Sequence, residues 1–387
     1  MGSVLLHSAW PLAGLSSLYG KGYRHGPWAW VSFSRPLPLG CGADPSLEQT
    51  VNDRIAMTIA QGIDDAIGRT PLIRLNGPSR STGCTILGKA EFMNPGGSVK
   101  DRTARGILLD AERSGRLTPG GTVVEGTAGN TGIALALLCK ARGYQPLIVM
   151  PDNQSPEKYD AIRALGATLH VVPAVPYAND NHYQKVAARL ARDIPNAIWA
   201  DQFDNTANRD AHYHSTGAEI WQDTAGGLDA FVSSSGTGGT LGGVSRYLRQ
   251  RSASVRIVLA DPQGSSLYNW ISKGTLAAEG PGSVTEGIGI GRITANLAGS
   301  PIDAAVHVPD TTAIAVVHQL LREEGLFLGS ASGVNVAGAM QVARQLGAGH
   351  TIVTILCDGG QKYQSRLYNP VWLEEKGLAT AAATPAW

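Results

Sequence analysis

Apolar and polar positions along this chain follow two periods that take turns. Arg102–Leu117 places apolar residues at helical spacing, and Thr122-Val123-Val124 is a short β-rich run. Asn130–Arg142 is helical again, and Leu147-Ile148-Val149-Met150 reads as a buried strand. The pair repeats as a helix over Glu157–Leu165 and a strand over Thr168–Val172. Farther on, Ala230–Val232, Arg256–Ala260 and Thr351–Leu356 read as strands, with helices over Val244–Gln250, Thr311–Glu324 and Val334–Leu346. Such alternation predicts an α/β fold, with parallel sheets covered by helices on both faces. Ligands then bind where a strand hands over to a helix.

The two ends read differently. Met1–Ala43 has no Asp or Glu, carries Lys21, Arg24 and Arg35, and is dotted with serines. A basic, acid-poor leader has the look of an organelle transit peptide. Alternatively the start is mis-assigned and the folded protein begins at Met57. Val4-Leu5-Leu6 is soon broken by His7 and Pro11, which argues against a secretory signal. Residues 1–56 are therefore set aside. The compartment follows from this choice: cytoplasmic, or the mitochondrial matrix if the leader is a transit peptide. At the other end, 371–387 reads as a tail whose Ala/Thr/Pro-rich stretch Ala379–Trp387 is expected to fray.

Composition narrows the picture. A chain of 387 residues with 43% apolar residues can bury the cores of two domains. A formal net charge of +1 gives no reason to expect a nucleic-acid partner. Cys41, Cys84, Cys139 and Cys357 form neither a C-x-x-C pair nor zinc spacing, so no metal site and no disulfide framework are expected. Cys139 follows the apolar run Ile133–Leu138 and reads as a small core residue. No apolar run is long enough for a bilayer span, so no membrane association is expected.

Three motifs open predicted helices. In Asn94-Pro95-Gly96-Gly97-Ser98-Val99-Lys100-Asp101-Arg102, the lysine sits where the helix dipole favours anions. That placement lowers an ammonium pKa, as an imine-forming lysine needs; a surface lysine paired with Asp101 is the plainer alternative. Ser235-Gly236-Thr237-Gly238-Gly239-Thr240 follows a strand, and its N–H groups and hydroxyls suit a phosphate. It lacks the Walker A lysine and the G-x-G-x-x-G spacing, which disfavours ATP and NAD; a flexible turn would read the same way. Glu125-Gly126-Thr127-Ala128-Gly129-Asn130-Thr131-Gly132 offers N–H groups to a carboxylate, or is simply an N-cap at Asn130 or Thr131. Together they suit an amino acid bound to a phosphorylated aldehyde cofactor.

On these motifs the chain resembles the cysteine synthase and cystathionine β-synthase family, fold type II pyridoxal-phosphate (PLP) enzymes. The likeness runs from Ile67-Gly68-Arg69-Thr70-Pro71-Leu72 to about Tyr368. It implies two doubly wound α/β domains with the cofactor in the cleft between them. The smaller would span 57–205, with 72–93 crossing to the larger, and the larger 206–370. Lys100 would carry the cofactor as an imine and act as the catalytic base. Gly236, Thr237, Gly238, Gly239 and Thr240 would hold its phosphate, and Asn130 would meet its ring hydroxyl. Thr127, Ala128, Gly129, Asn130 and Thr131 would hold the substrate carboxylate, with Gln202 of Gln202-Phe203-Asp204-Asn205 and with Gly287. His212 and Thr216-Gly217-Ala218-Glu219-Ile220 also match and read as packing. The implied reaction is β-replacement, O-acetylserine plus sulfide giving cysteine and acetate. A homodimer is implied, with a serine acetyltransferase as a candidate partner.

Departures from the family pattern matter. Ala128 replaces a serine, at a cost of about 1 kcal/mol of binding. Gly359 stands where alignment puts a serine hydroxyl near the pyridine nitrogen; water, Cys357 or Asp358 could substitute, and Asp358 is expected not to face the ring. Glu286-Gly287-Ile288-Gly289-Ile290-Gly291-Arg292 begins like cystathionine β-synthase, which takes serine and homocysteine. A serine or threonine dehydratase and a non-catalytic PLP-binding regulator remain as alternatives. Arg292 would greet a phosphorylated substrate or be a solvated turn arginine.

Overall fold

The computed structural model describes residues 59–387, so the leader reading of 1–56 lies outside the described residues. The strands are β1 (Leu72–Arg74), β2 (Thr85–Ala90), β3 (Thr122–Gly126), β4 (Gln145–Pro151), β5 (Thr168–Val172), β6 (Ala197–Trp199), β7 (Ala230–Ser233), β8 (Arg256–Pro262), β9 (Ala304–Val308) and β10 (Thr351–Leu356). They form a six-stranded sheet ordered β1-β2-β10-β7-β8-β9 and a four-stranded sheet ordered β5-β4-β3-β6. Only β1 is antiparallel, to β2. Thus 72–90 belongs to the larger sheet although the chain then enters the smaller one. The inner strands are unbroken apolar runs such as Ala230-Phe231-Val232 and Ile257–Ala260, fully buried, as a parallel sheet covered on both faces requires.

The strand orders explain where a site forms. In the smaller sheet the chain winds β3, β4, β5 to one side and then places β6 on the other side of β3. In the larger sheet it winds β7, β8, β9 one way and returns β10 to the other side of β7. Loops leaving strands on either side of such a switch diverge and leave a crevice at their carboxyl ends. One crevice carries Thr127–Thr131 and Gln202, the other Ser235–Thr240 and Cys357-Asp358. The three predicted motifs do open helices, at Lys100, Asn130 and Gly239.

A buried ionic cluster fixes the first of these helices. Arg102 donates Nε and Nη2 to the Glu91 carboxylate at 2.8 and 2.9 Å, and Nη1 and Nη2 to Glu219 at 2.6 and 2.7 Å. Lys89 joins Glu219 at 2.9 Å and Asp223 at 3.0 Å. Glu219 thus has the structural role read for its segment. Removing one partner of a buried pair strands the other charge. Arg102→Met should therefore cost about 3–5 kcal/mol of stability. Urea unfolding measures this, and a loss below about 1 kcal/mol would show the cluster to be dispensable.

The tail corrects its expectation. Pro370–Glu375 and Ala379–Ala383 are helical, and Leu373, Leu378 and Ala382 are buried. Trp387 packs on Gly77 and its Nε1 donates to Glu323 at 3.0 Å. Apolar side chains spaced to reach helix Asp310–Glu324 outweigh the flexible composition. No helix among the described residues is long and apolar enough to cross a membrane.

Candidate active site

Lys100 is the first residue of helix Lys100–Arg113. The chain before it is tied to the end of β10: Val99 N–H donates to the Cys357 carbonyl at 2.8 Å, and Ser98 bridges Asp358. The lysine amine is therefore presented at the switch point of the larger sheet. Its pKa is lowered, chiefly by burial, against the attraction of Cys357 and Asp358. Burial also pushes the Cys357 thiol up to about 12, so at neutral pH that thiol is uncharged and pulls little. Desolvation, more than the dipole expected from sequence, prepares the amine. The alternative pairing with Asp101 is not made: that carboxylate turns to the Gly96 N–H.

The loop after β7 forms the second part. Gly238 is left-handed (φ +84°) and helix Gly239–Arg251 starts immediately after it. Gly236 lies so close to the opposite wall that a Cβ would stand 2.1 Å from the Gly287 carbonyl. The turn is braced from behind. Asn208 Nδ2 donates to Thr237 Oγ1 at 2.9 Å, and His212 Nε2 lies 3.2 Å from Thr103 and 3.3 Å from Thr240. Burial, then Arg102 and Lys100, hold His212 well below its ordinary pKa, so it braces as a neutral ring. Gly239 does not line the cleft; its α-carbon abuts Asn208.

The third part is the loop after β3. Thr127, Ala128, Gly129, Asn130 and Thr131 all line a cavity of about 180 Å³ that also holds Lys100, Gln202 and Gly287. Gly236, Thr237 and Lys100 line both this cavity and the one over the β7 turn, so the two are one cleft. Asn130 is clamped: Nδ2 donates to Asp358 Oδ2 at 2.7 Å, and Oδ1 accepts from Lys362 Nζ at 2.9 Å. Tyr363 OH also donates to Asp358 Oδ2, at 2.5 Å.

Two expectations need correction. Gly359 lies off the cleft wall, where its extended backbone pairs with Leu328; the wall at that point is Ala331, Cys357 and Asp358. The pairing with Leu328 holds the backbone at 359 off the cleft while Cys357 and Asp358 stay on it. Gln202 lines the cleft, yet both its amide protons point inward, to Glu125 Oε1 at 3.0 Å and the Gly126 carbonyl at 3.1 Å. Its Oε1 accepts from Thr131 at 2.6 Å. In this state it has no donor left for a carboxylate. Arg292 is partly exposed, pairs with Asp204 at 2.8 Å and lies over Tyr177 and Phe203.

Sequence reasoning passed over Lys158 and Glu286. Lys158 is buried under Gly129 and paired with Glu286 across the cleft, and Glu286 is paired with Arg366 at 2.8 Å. Glu286 stood in a quoted motif, but nothing in the spacing of either residue marks the pair.

The residues fit pyridoxal phosphate. Ser235 Oγ is buried without a partner beside Gly236 and Gly238, an unspent donor in a cradle of N–H groups that a phosphate would satisfy. The half-buried Lys100 lines the same cavity.

The family model described as "Pyridoxal-phosphate dependent enzyme" matches residues 63–358. Cysteine synthase 1 of Neurospora crassa is 50% identical over 364 residues, which is 93% of this chain and 96% of that protein. Among solved structures, an O-acetylserine dependent cystathionine beta-synthase from Helicobacter pylori superposes with a TM-score of 0.73 at 33% identity, covering 80% of this chain and 98% of that one. An O-ureido-L-serine synthase does so with a TM-score of 0.74 at 37% identity, covering 82% and 99%. Two switch-point sheets, a lysine facing the cleft and a phosphate turn agree with these likenesses: the chain belongs to the pyridoxal-phosphate dependent enzyme family, in its fold type II, cysteine synthase-like branch.

Proposed function

We propose that this enzyme is a cysteine synthase, exchanging the acetate of O-acetylserine for sulfide. One juxtaposition carries the reading: a half-buried amine, Lys100, in a single cleft with the Ser235–Thr240 turn and the Thr127–Thr131 turn. Lys100 would hold the cofactor through Nζ, Gly236, Thr237, Gly238 and Thr240 its phosphate, and Asn130 its ring hydroxyl. Bound there, pyridoxal phosphate supplies the electron sink for charge developing at the substrate α-carbon.

The protein supplies position and protons. N–H groups of Thr127–Thr131, at the start of helix Asn130–Arg142, hold the substrate carboxylate. Gln202 and Gly287 complete that wall. Lys100 Nζ, its pKa lowered by burial, removes the α-proton and returns it after acetate has left and sulfide has added at the β-carbon. The Lys158–Glu286 pair spans the cleft and holds water out of it while the β-carbon is exposed to attack. Acting as a homodimer, association with a serine acetyltransferase and residence in the cytoplasm, or in the mitochondrial matrix, belong to the same proposal.

Purified holoenzyme given O-acetylserine and sulfide should release cysteine and acetate in equal amounts. Faster turnover of serine with homocysteine would instead make cystathionine synthesis the main reaction, and no acetate release at all would leave only a cofactor-binding scaffold.

A further inference from the structure

We infer that Glu125 decides which end of the Gln202 amide faces the substrate, and that the substrate carboxylate binds while Glu125 carries a proton. This rests on the reading of Thr127–Thr131 as the carboxylate site. Glu125 lies in β3, directly behind that loop, and is fully buried. Gln202 holds both its oxygens, Oε2 from the backbone N–H at 3.3 Å and Oε1 from Nε2 at 3.0 Å, and the Asp201 backbone N–H adds to this. No cation pairs with it. The nearest ionisable groups are Asp201, which repels it, and Tyr183 from helix Tyr183–Asp193; Arg292 acts on those two. Burial, resisted by the Gln202 hydrogen bonds and reinforced by Asp201, pushes the carboxyl up to about 8.

The hydrogen-bond logic has two consistent states. With Glu125 ionised, Gln202 turns its NH2 inward and its Oε1 takes the Thr131 proton, so neither side chain offers the cleft a donor. With Glu125 protonated, the proton must sit on Oε1, because Oε2 faces a backbone N–H that can only donate. That O–H requires an acceptor, so the Gln202 amide turns its oxygen inward. Nε2 then donates to Thr131 Oγ1, and the Thr131 hydroxyl is released to the substrate carboxylate. The heavy atoms need not move, since amide O and N exchange places. The turn deprives the Gly126 carbonyl of its donor, so the inward amide belongs with the ionised carboxylate. Glu125 is a positioning residue: it acts through Gln202 and Thr131.

Glu125→Gln tests this without changing shape. The Gln202 N–H fixes the new carbonyl at Oε2, so the new NH2 faces Gln202 and imposes the donor-outward state at every pH. In the wild type, KM for O-acetylserine should rise about tenfold more between about pH 7 and pH 9 than it does in Glu125→Gln, a loss equal to one charge-assisted hydrogen bond. The comparison cancels titration of the substrate's own amine. A second readout needs neither cofactor nor substrate. A carboxyl whose folded pKa is raised favours folding fully below its unfolded value and loses that contribution as pH rises through about 8. The melting temperature of the cofactor-free wild type should therefore fall over that range relative to Glu125→Gln. Parallel KM profiles and parallel melting profiles would each overturn the inference. Thr131→Val separates this from failure of the site reading: if its KM equals the wild-type value, the carboxylate does not bind at this loop.

Discussion

Lys100→Ala is expected to reduce cysteine formation by at least roughly 10⁴-fold, the upper range for loss of a general base, with covalent attachment of the cofactor lost as well. Two other lysines come near, and the structure separates them. Lys158 lines the same cavity but is ion-paired with Glu286. Lys362 donates to the carbonyls of Gly96 and Gly97 at 2.9 and 3.1 Å and to Asn130 at 2.9 Å. Burial, against Asp358 and Asp101, lowers Lys362 to about 8, but its protons are already committed. Lys100 has the lowered pKa without such commitments and faces both turns. Borohydride reduction followed by peptide mapping should find the pyridoxyl group at position 100 in the wild type and nowhere in the variant. A label on Lys158 or Lys362, or wild-type activity in Lys100→Ala, would remove the central assignment.

Much of this was legible because local signals and global topology agree at the motifs. Asn130–Arg142, Thr168–Val172 and Thr351–Leu356 have the predicted bounds, since apolar period and end signals coincide there. Other elements carry weak signals. β1 and β6 are three residues long, too short for any period to be read. Helix Tyr183–Asp193 follows a polar loop and was not foreseen, although its apolar face packs on β3. The site divides the same way. Residues with backbone roles, Gly236, Gly238 and the Thr127–Thr131 loop, announce themselves by residue type. Roles set by side-chain direction do not. Whether 358 or 359 meets the cleft depends on the pairing of 359 with Leu328 past the end of β10, and the Gln202 amide is held by Glu125, 77 positions away. Lys158 and Glu286 are 128 positions apart and meet only because both sheets open at one cleft.

Gly238→Ala should weaken cofactor binding by about 10²–10⁴-fold, through the backbone alone. Gly238 is held at φ +84°, where an alanine costs roughly 1–2 kcal/mol. Space is a second obstacle: the added Cβ would lie 2.7 Å from Leu297 Cβ, 2.8 Å from Thr294 Oγ1 and 2.9 Å from the Leu297 N–H. Thr294 cannot give way freely, because its hydroxyl holds the Thr237 carbonyl at 2.8 Å and so sets the turn. The turn must open, and N–H groups that converged on the phosphate diverge. Hydrogen bonds to a charged group contribute about 1.5–3 kcal/mol each, so losing two accounts for the expected range. Titrating pyridoxal phosphate into cofactor-free protein, followed by absorbance, measures the change. Gly274→Ala is the matched control: it has a similar backbone (φ +70°) but nothing within 4 Å of the new Cβ and no place in the cleft. It should lose about 1 kcal/mol of stability and keep its cofactor affinity. If both variants bound pyridoxal phosphate like the wild type, the Ser235–Thr240 turn would not be the phosphate cradle, however well its residues suit the task.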